Sequence, residues 1–129
     1  MYVFGVVIEA PFDAALARVT EAIQAEKLGV VSDVDVAAVL RTKLGEEIGG
    51  YRILGACAPG LAKRVIAAQP AAGVLLPCSI VVRRLDEVST AVDFMDPQTL
   101  LALAGVPEID QVGADARAIL ERVRDRLAS

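Results

Sequence analysis

Gly73-Val74-Leu75-Leu76-Pro77-Cys78-Ser79-Ile80-Val81-Val82-Arg83, then Arg84-Leu85-Asp86-Glu87, then Val88-Ser89-Thr90-Ala91-Val92-Asp93-Phe94-Met95: this stretch decides the fold. The first part is nearly continuous in apolar character, which predicts a central, covered strand. The last part alternates, with Val88, Thr90, Val92 and Phe94 on one face, and predicts a second strand. Residues 84–87 suit a hairpin loop. So short a connection makes the two strands antiparallel neighbours.

Working outward, Tyr51 to Cys57 predicts another strand, and Pro59 opens a helix with Leu61, Val65 and Ile66 as its inward-facing candidates, closed by Pro70. Upstream, Met1 to Glu9 predicts a strand. Pro11 suits the first position of a helix, and Phe12, Leu16, Val19 and Ile23 then form one apolar stripe. Gly29 is placed to end that helix in the left-handed conformation. Val30 to Val36 alternates, with Val30, Ser32, Val34 and Val36 on one face and Val31, Asp33 and Asp35 on the other. Ala37 to Leu44 predicts a short helix or a helical turn, and Gly45 to Gly50 a loop. Downstream, Asp96-Pro97 opens a short helix ended by Gly105. Val106 to Val112 reads as a connector, and Val112, Ala116, Ile119, Val123 and Leu127 mark a terminal amphipathic helix. The expected fold is α+β, a mostly antiparallel sheet with helices on one face. Its other face then needs cover, and a second subunit is the simplest candidate.

The 129 residues suffice for one domain, expected to span 1–129, with a core that needs no disulfide or metal. Alanine makes up much of the 55% hydrophobic content and tryptophan is absent, so Leu, Ile and Val carry the packing. Mean hydropathy is positive at +0.54. The most apolar segment, Ala71 to Val82, is interrupted by Pro77, Cys78 and Ser79, well short of the roughly 20 residues that span a bilayer. No basic stretch precedes an apolar run at the N-terminus, so a cytoplasmic location and no membrane partner are expected. The net charge of −4 gives no basic footprint for nucleic acid. Arg117, Arg122, Arg124 and Arg126 cluster near the end of the terminal helix, where cations favour the helix dipole, with Asp110 and Asp115 at its start.

Histidine is absent altogether. That removes Ser-His-Asp and Cys-His nucleophile pairs, Cys2His2 zinc sites and two-histidine facial triads. Chemistry would have to rest on Cys, carboxylates, Lys, Arg or Tyr, which disfavours an enzyme. The two cysteines occupy particular places. Cys57 ends a strand two residues before Pro59, and a helix start of this kind lowers a thiol pKa through the dipole and free N–H groups. Cys78 follows Pro77, and period-two counting puts it on one face with Val74, Leu76, Ile80 and Val82.

Two inert buried thiols are the plain reading of these cysteines. A site for a small ligand, a redox partner or a soft metal held by Cys57 and Cys78 is the sharper one, because the two flank one helix. Their spacing matches no zinc or thioredoxin pattern. Asp33 and Asp35 are candidate ligands for a hard cation, although a solvated strand face explains them better. Arg52 is a candidate anion binder or a plain surface charge. Gly49-Gly50 and Gly55 allow close backbone approach but match no phosphate loop.

Tyr51-Arg52-Ile53-Leu54-Gly55-Ala56-Cys57-Ala58-Pro59 and Gly73-Val74-Leu75-Leu76-Pro77-Cys78 together resemble the bacterial domain-of-unknown-function family numbered 302, whose blocks look like Y-x-I-L-G-A-C-N-P and G-x-L-L-P-C. Leu28 to Val36 and Val92 to Pro97 resemble further blocks in the same order, so the likeness spans almost the whole chain. It implies a small α+β domain of the TATA-binding-protein-like class, usually a homodimer, with both cysteines on family positions. It carries no nucleic-acid activity, since fold does not carry function. Ala58 departs from the family's common Asn, which would cap the following helix.

Two functions follow as expectations. One is a non-enzymatic, homodimeric binding or sensing module for a small ligand, thiol or soft metal, with Cys57, Cys78, Pro59, Pro77 and Arg52 as candidate site residues. The other is an interaction domain whose cysteines are only core. A thiol-dependent oxidoreductase ranks third, because no general base or cofactor motif accompanies the thiols.

Overall fold

The computed structural model describes residues 1–128. Five strands form one antiparallel sheet: β1 (Val3–Ile8), β2 (Gly29–Asp35), β3 (Tyr51–Cys57), β4 (Cys78–Arg84) and β5 (Thr90–Met95), in the spatial order β1-β5-β4-β3-β2. The helices are α1 (Phe12–Ala25), α2 (Val36–Leu44), α3 (Pro59–Ala68), α4 (Pro97–Leu101) and α5 (Pro107–Ala128). The α+β architecture and the antiparallel β4–β5 hairpin are as the pattern predicts.

Proline chemistry explains where the elements differ from expectation. Residues 73–76 do not extend the central strand. Pro70–Leu75 forms a 3-10 turn, and Val74 is 87% exposed. Pro77, joined to Leu76 by a cis peptide, has no N–H to give to a ladder. Pairing with β3 therefore begins one residue later, at Cys78 opposite Ala56. Cys78 shares its strand face with Ile80 and Val82, as expected, whereas Val74 and Leu76 lie outside the strand. At the other end of the chain, Pro107 does not lie in a connector. It starts α5, and Asp110 N–H donates to the Val106 carbonyl at 3.0 Å, closing the first turn five residues earlier than the apolar stripe suggests.

Two turns also differ. The left-handed residue after α1 is Lys27, not Gly29. Leu28 N–H reaches back to the Ile23 carbonyl at 3.2 Å and Lys27 N–H to that of Gln24 at 2.9 Å, so burial of Leu28 fixes the turn. Gly45 and Gly105 do take left-handed conformations after their helices. In β2 a bulge at Val31 breaks the alternation. Val30 pairs with Ala56 on the helix-bearing side, while Ser32 and Val34, opposite Gly55 and Ile53, face the other way.

The main core lies between one sheet face (Ile8, Leu54, Ala56, Ile80, Val82, Val92, Phe94) and the inner stripes of α1 (Ala15, Val19, Ile23) and α5 (Leu120, Val123, Leu127). A second, smaller cluster gathers Val65 of α3, Ala72, Leu101 of α4, and Ile109 and Val112 of α5. The terminal arginines serve as intramolecular ties. Arg117 lies 3.9 Å above the Phe4 ring and pairs with Asp96 and Glu121, while Arg122 and Arg126 share Glu26. Among the described residues, no helix is long and apolar enough to cross a membrane.

Candidate functional site

The last pair of the β3–β4 ladder joins Ala56 to Cys78, so Cys57, one residue beyond Ala56, comes next to Cys78. The chain then turns at Ala58 into α3, and both Leu61 and Ala62 donate backbone N–H bonds to the Ala58 carbonyl at 3.0 Å. Pro59 takes the first helical position, as expected. Ala58 offers no side-chain cap, so the open end of α3 carries no polar side chain of its own.

Between these strand ends and α3, α4 and α5 lies a cavity of about 30 Å³, bordered by Cys57 and Cys78 and otherwise by apolar side chains, among them Leu61, Leu76, Leu101 and Ile119. It sits on the seam between the two hydrophobic clusters. Leu28, Ala56 and Leu120 come from the main core, and Leu101 and Val112 from the smaller one. The volume is room for roughly two water-sized groups, and a wall without polar partners leaves such a space dry. Burial pushes the Cys78 thiol up to about 11, and the neighbouring Cys57 sulfur adds to the shift. Cys78 therefore stays a neutral thiol near pH 7.

A second depression adjoins the first on the outside. Cys57, Pro59, Ala62, Lys63, Ile66 and Ala67 line a wide-open groove of about 540 Å³ along α3, where Ile66 is 48% exposed and does not face inward. Cys57 and Ala62 belong to both walls.

The other predicted site residues lie elsewhere. Pro77 packs on Gly55, on the sheet face away from the cavity. Arg52 stands at the opposite end of β3 from Cys57, roughly 17 Å along the strand. Its guanidinium grips Asp33 with two hydrogen bonds, Nε–Oδ1 at 2.8 Å and Nη2–Oδ2 at 2.5 Å, and Asp33 in turn is held below the usual carboxylate range. Asp35 accepts from Ala38 N–H at 3.0 Å and caps α2. These three side chains form a tie between β2 and β3. No group of three or more His, Cys, Asp or Glu gathers among the described residues to hold a metal ion. Two thiols by themselves are too few donors for tetrahedral zinc.

The cavity wall from Leu101, Val112, Ala116, Ile119 and Leu120 was not legible as part of a site, because these residues lie far from either cysteine in sequence. The only signal for Val112, Ala116 and Ile119 is the apolar stripe of the terminal helix, and Leu101 and Leu120 had none.

Comparison with known proteins places this geometry in a family. The profile described as "Domain of unknown function DUF302" matches residues 4–127. The chain belongs to the DUF302 family. A crystal structure of an uncharacterized conserved DUF302 protein from Bacillus stearothermophilus is similar over 98% of both chains, with 26% sequence identity and a TM-score of 0.88. No curated protein matches the chain. DUF302 membership thus agrees with the antiparallel sheet and helices found here and leaves the activity open.

Proposed function

We propose that this DUF302 chain is a non-enzymatic binding domain whose ligand seat is the thiol-bordered cavity at the ends of β3 and β4. One observation carries the reading: the only two cysteines of the chain border one apolar cavity, on the seam where the two hydrophobic clusters meet. A soft, weakly solvated group suits such a wall, be it an apolar moiety or a soft cation bridging two sulfurs. The neutral Cys78 thiol argues against nucleophilic chemistry at that residue near pH 7, since the thiolate is the nucleophile.

The test is native mass spectrometry of protein purified anaerobically without chelator. The expected result is added mass that disappears in the Cys57→Ala, Cys78→Ala double variant, the mass itself separating an organic ligand from a metal ion. Bare mass in both proteins would overturn the reading.

A second reading, an interaction domain that pairs with another copy, is favoured by the sheet face away from α1 and α5. Val7 and Val34 are 52% and 47% exposed there, and Ile53, Val81 and Met95 of the same face are only half-buried. Five strands give a face of roughly 24 Å by 20 Å. Two copies would bury about 1,000 Å², the lower limit of a specific interface. Sedimentation equilibrium would find a dimer that Val7→Lys and Val34→Lys dissociate. A monomer at all concentrations, or a dimer indifferent to both changes, would dismiss this reading.

A further inference from the structure

We propose that the inner cavity and the outer groove along α3 form one seat for an unbranched alkyl carboxylate, its tail along the groove with the tip in the cavity and its carboxylate at Lys63. The inference rests on the cavity being a ligand seat and names the class of ligand.

Three observations carry it. The two depressions share Cys57 and Ala62 as a common wall, so the seat requires that wall to give way at the small Cys57 side chain. Pro59, Ala62, Lys63, Ile66 and Ala67 fall at helical spacings of three and four, so the groove is a single stripe running along α3. That stripe is apolar except for one cation. Lys63 has no ion-pair or hydrogen-bond partner among the described residues, whereas its neighbour Arg64 is committed to Glu108 at 2.8 Å and Asp115 at 2.9 Å on α5. An apolar track that adjoins a dry cavity and carries one unpaired ammonium on its open side is complementary to a chain with an anionic head. The net charge of −4 gives an anion no general attraction to this protein, so binding would report the local site. A long polymer is a poorer fit, because the inner end of the track admits only about two water-sized groups.

Octanoate titrated into the full chain, followed by calorimetry and by the methyl NMR signals of Leu61, Leu76 and Leu101, tests this. Saturable one-to-one binding is expected, with shifts at those methyls and a loss of about fivefold in affinity in Lys63→Gln. Octanol should bind wild type and Lys63→Gln equally. Absence of saturable octanoate binding, or an affinity unchanged by Lys63→Gln, overturns the proposal. Xenon, read on the same methyl signals, separates the two levels of inference. Xenon shifts without octanoate binding would keep the cavity as a seat and remove the alkyl carboxylate. Silence from both probes would remove both.

Discussion

Pro77 lies against Gly55 across the β3–β4 pair: a Cβ added at Gly55 would stand 2.6 Å from Pro77 Cγ and would overlap Ser32 Oγ. Three strands and the turn before β4 meet at that point, and only a residue without a side chain leaves room for them. Gly55→Ala should destabilise the protein by about 1–3 kcal/mol, the usual cost of overpacking, measured as a lower urea midpoint. Because Pro77 is bonded to Cys78, the displacement should reach the cavity wall. Cys78 should then be alkylated by iodoacetamide faster than in the parent.

Alkaline pH should reveal the buried thiol. The folded Cys78 titrates at about 11 against an ordinary 9.0, so the unfolded chain loses this proton first. Its contribution to stability is complete below pH 9 and is lost as pH rises to about 11, a change of roughly 2–3 kcal/mol. Other groups titrate in the same window, so the measurement is the difference between parent and Cys78→Ala. The stability gap between the two should narrow from pH 8 to pH 11.

Asp96 should be the costliest exposed-end carboxylate to remove. It accepts from Gln98 N–H at 2.9 Å to start α4, pairs with Arg117 at 2.8 Å, and its side chain is 13% exposed. Asp96→Ala is expected to cost about 2 kcal/mol, the cap together with the abandoned guanidinium. Asp96→Asn keeps the cap and should cost less. Thermal denaturation of both variants distinguishes the two contributions.

Acid should loosen the contact between the end of α1 and the end of α5. Hydrogen bonds from Arg122 and Arg126 hold the Glu26 carboxyl below its usual 4.5. A depressed carboxylate contributes stability above its unfolded pKa and loses it as pH falls through the folded value. The parent should therefore lose more stability than Glu26→Gln between pH 5 and strongly acidic conditions, read from urea midpoints across that range.

Much of the architecture was legible from period and punctuation. The stripe Val19–Ile23 with its neighbours, the β4–β5 hairpin, and the starts of α3 at Pro59 and α4 at Pro97 needed only local rules. The failures share a physical cause. Gly73-Val74-Leu75-Leu76 has the composition of a buried strand, yet the ladder cannot use Pro77, and apolarity alone does not distinguish a strand from a 3-10 turn. The bulge at Val31 arises from pairing with β3, which no pattern inside β2 encodes. The first turns of α5 were missed because Val106 to Val112 reads as a connector, whereas Pro107 takes the first helical position.

The candidate site was half legible. The local motifs pointed to Cys57, Cys78 and Pro59, and the structure brings the two cysteines to one cavity with Pro59 on the adjoining groove. Arg52 looked equally available, but its partner Asp33 sits on another strand, and cross-strand partners are invisible until the register is known. The cavity itself exists only where α4 and α5 close over the strand ends, a long-range event that sequence spacing does not report.

Of the five strands, β1 is made before the others and finds its place last. β1 pairs only with β5, Thr99 Oγ1 bonds the Met1 carbonyl at 3.0 Å, and Asp96 N–H bonds that of Tyr2 at 2.7 Å. During synthesis, therefore, Val3–Ile8 must wait unpaired until residues beyond 95 have emerged, and α5 must follow to cover the core. Through most of the synthesis of this fold, β1 is thus an apolar strand without its partner. Chaperone engagement should be concentrated on β1 and should fall once α5 has emerged to cover the core.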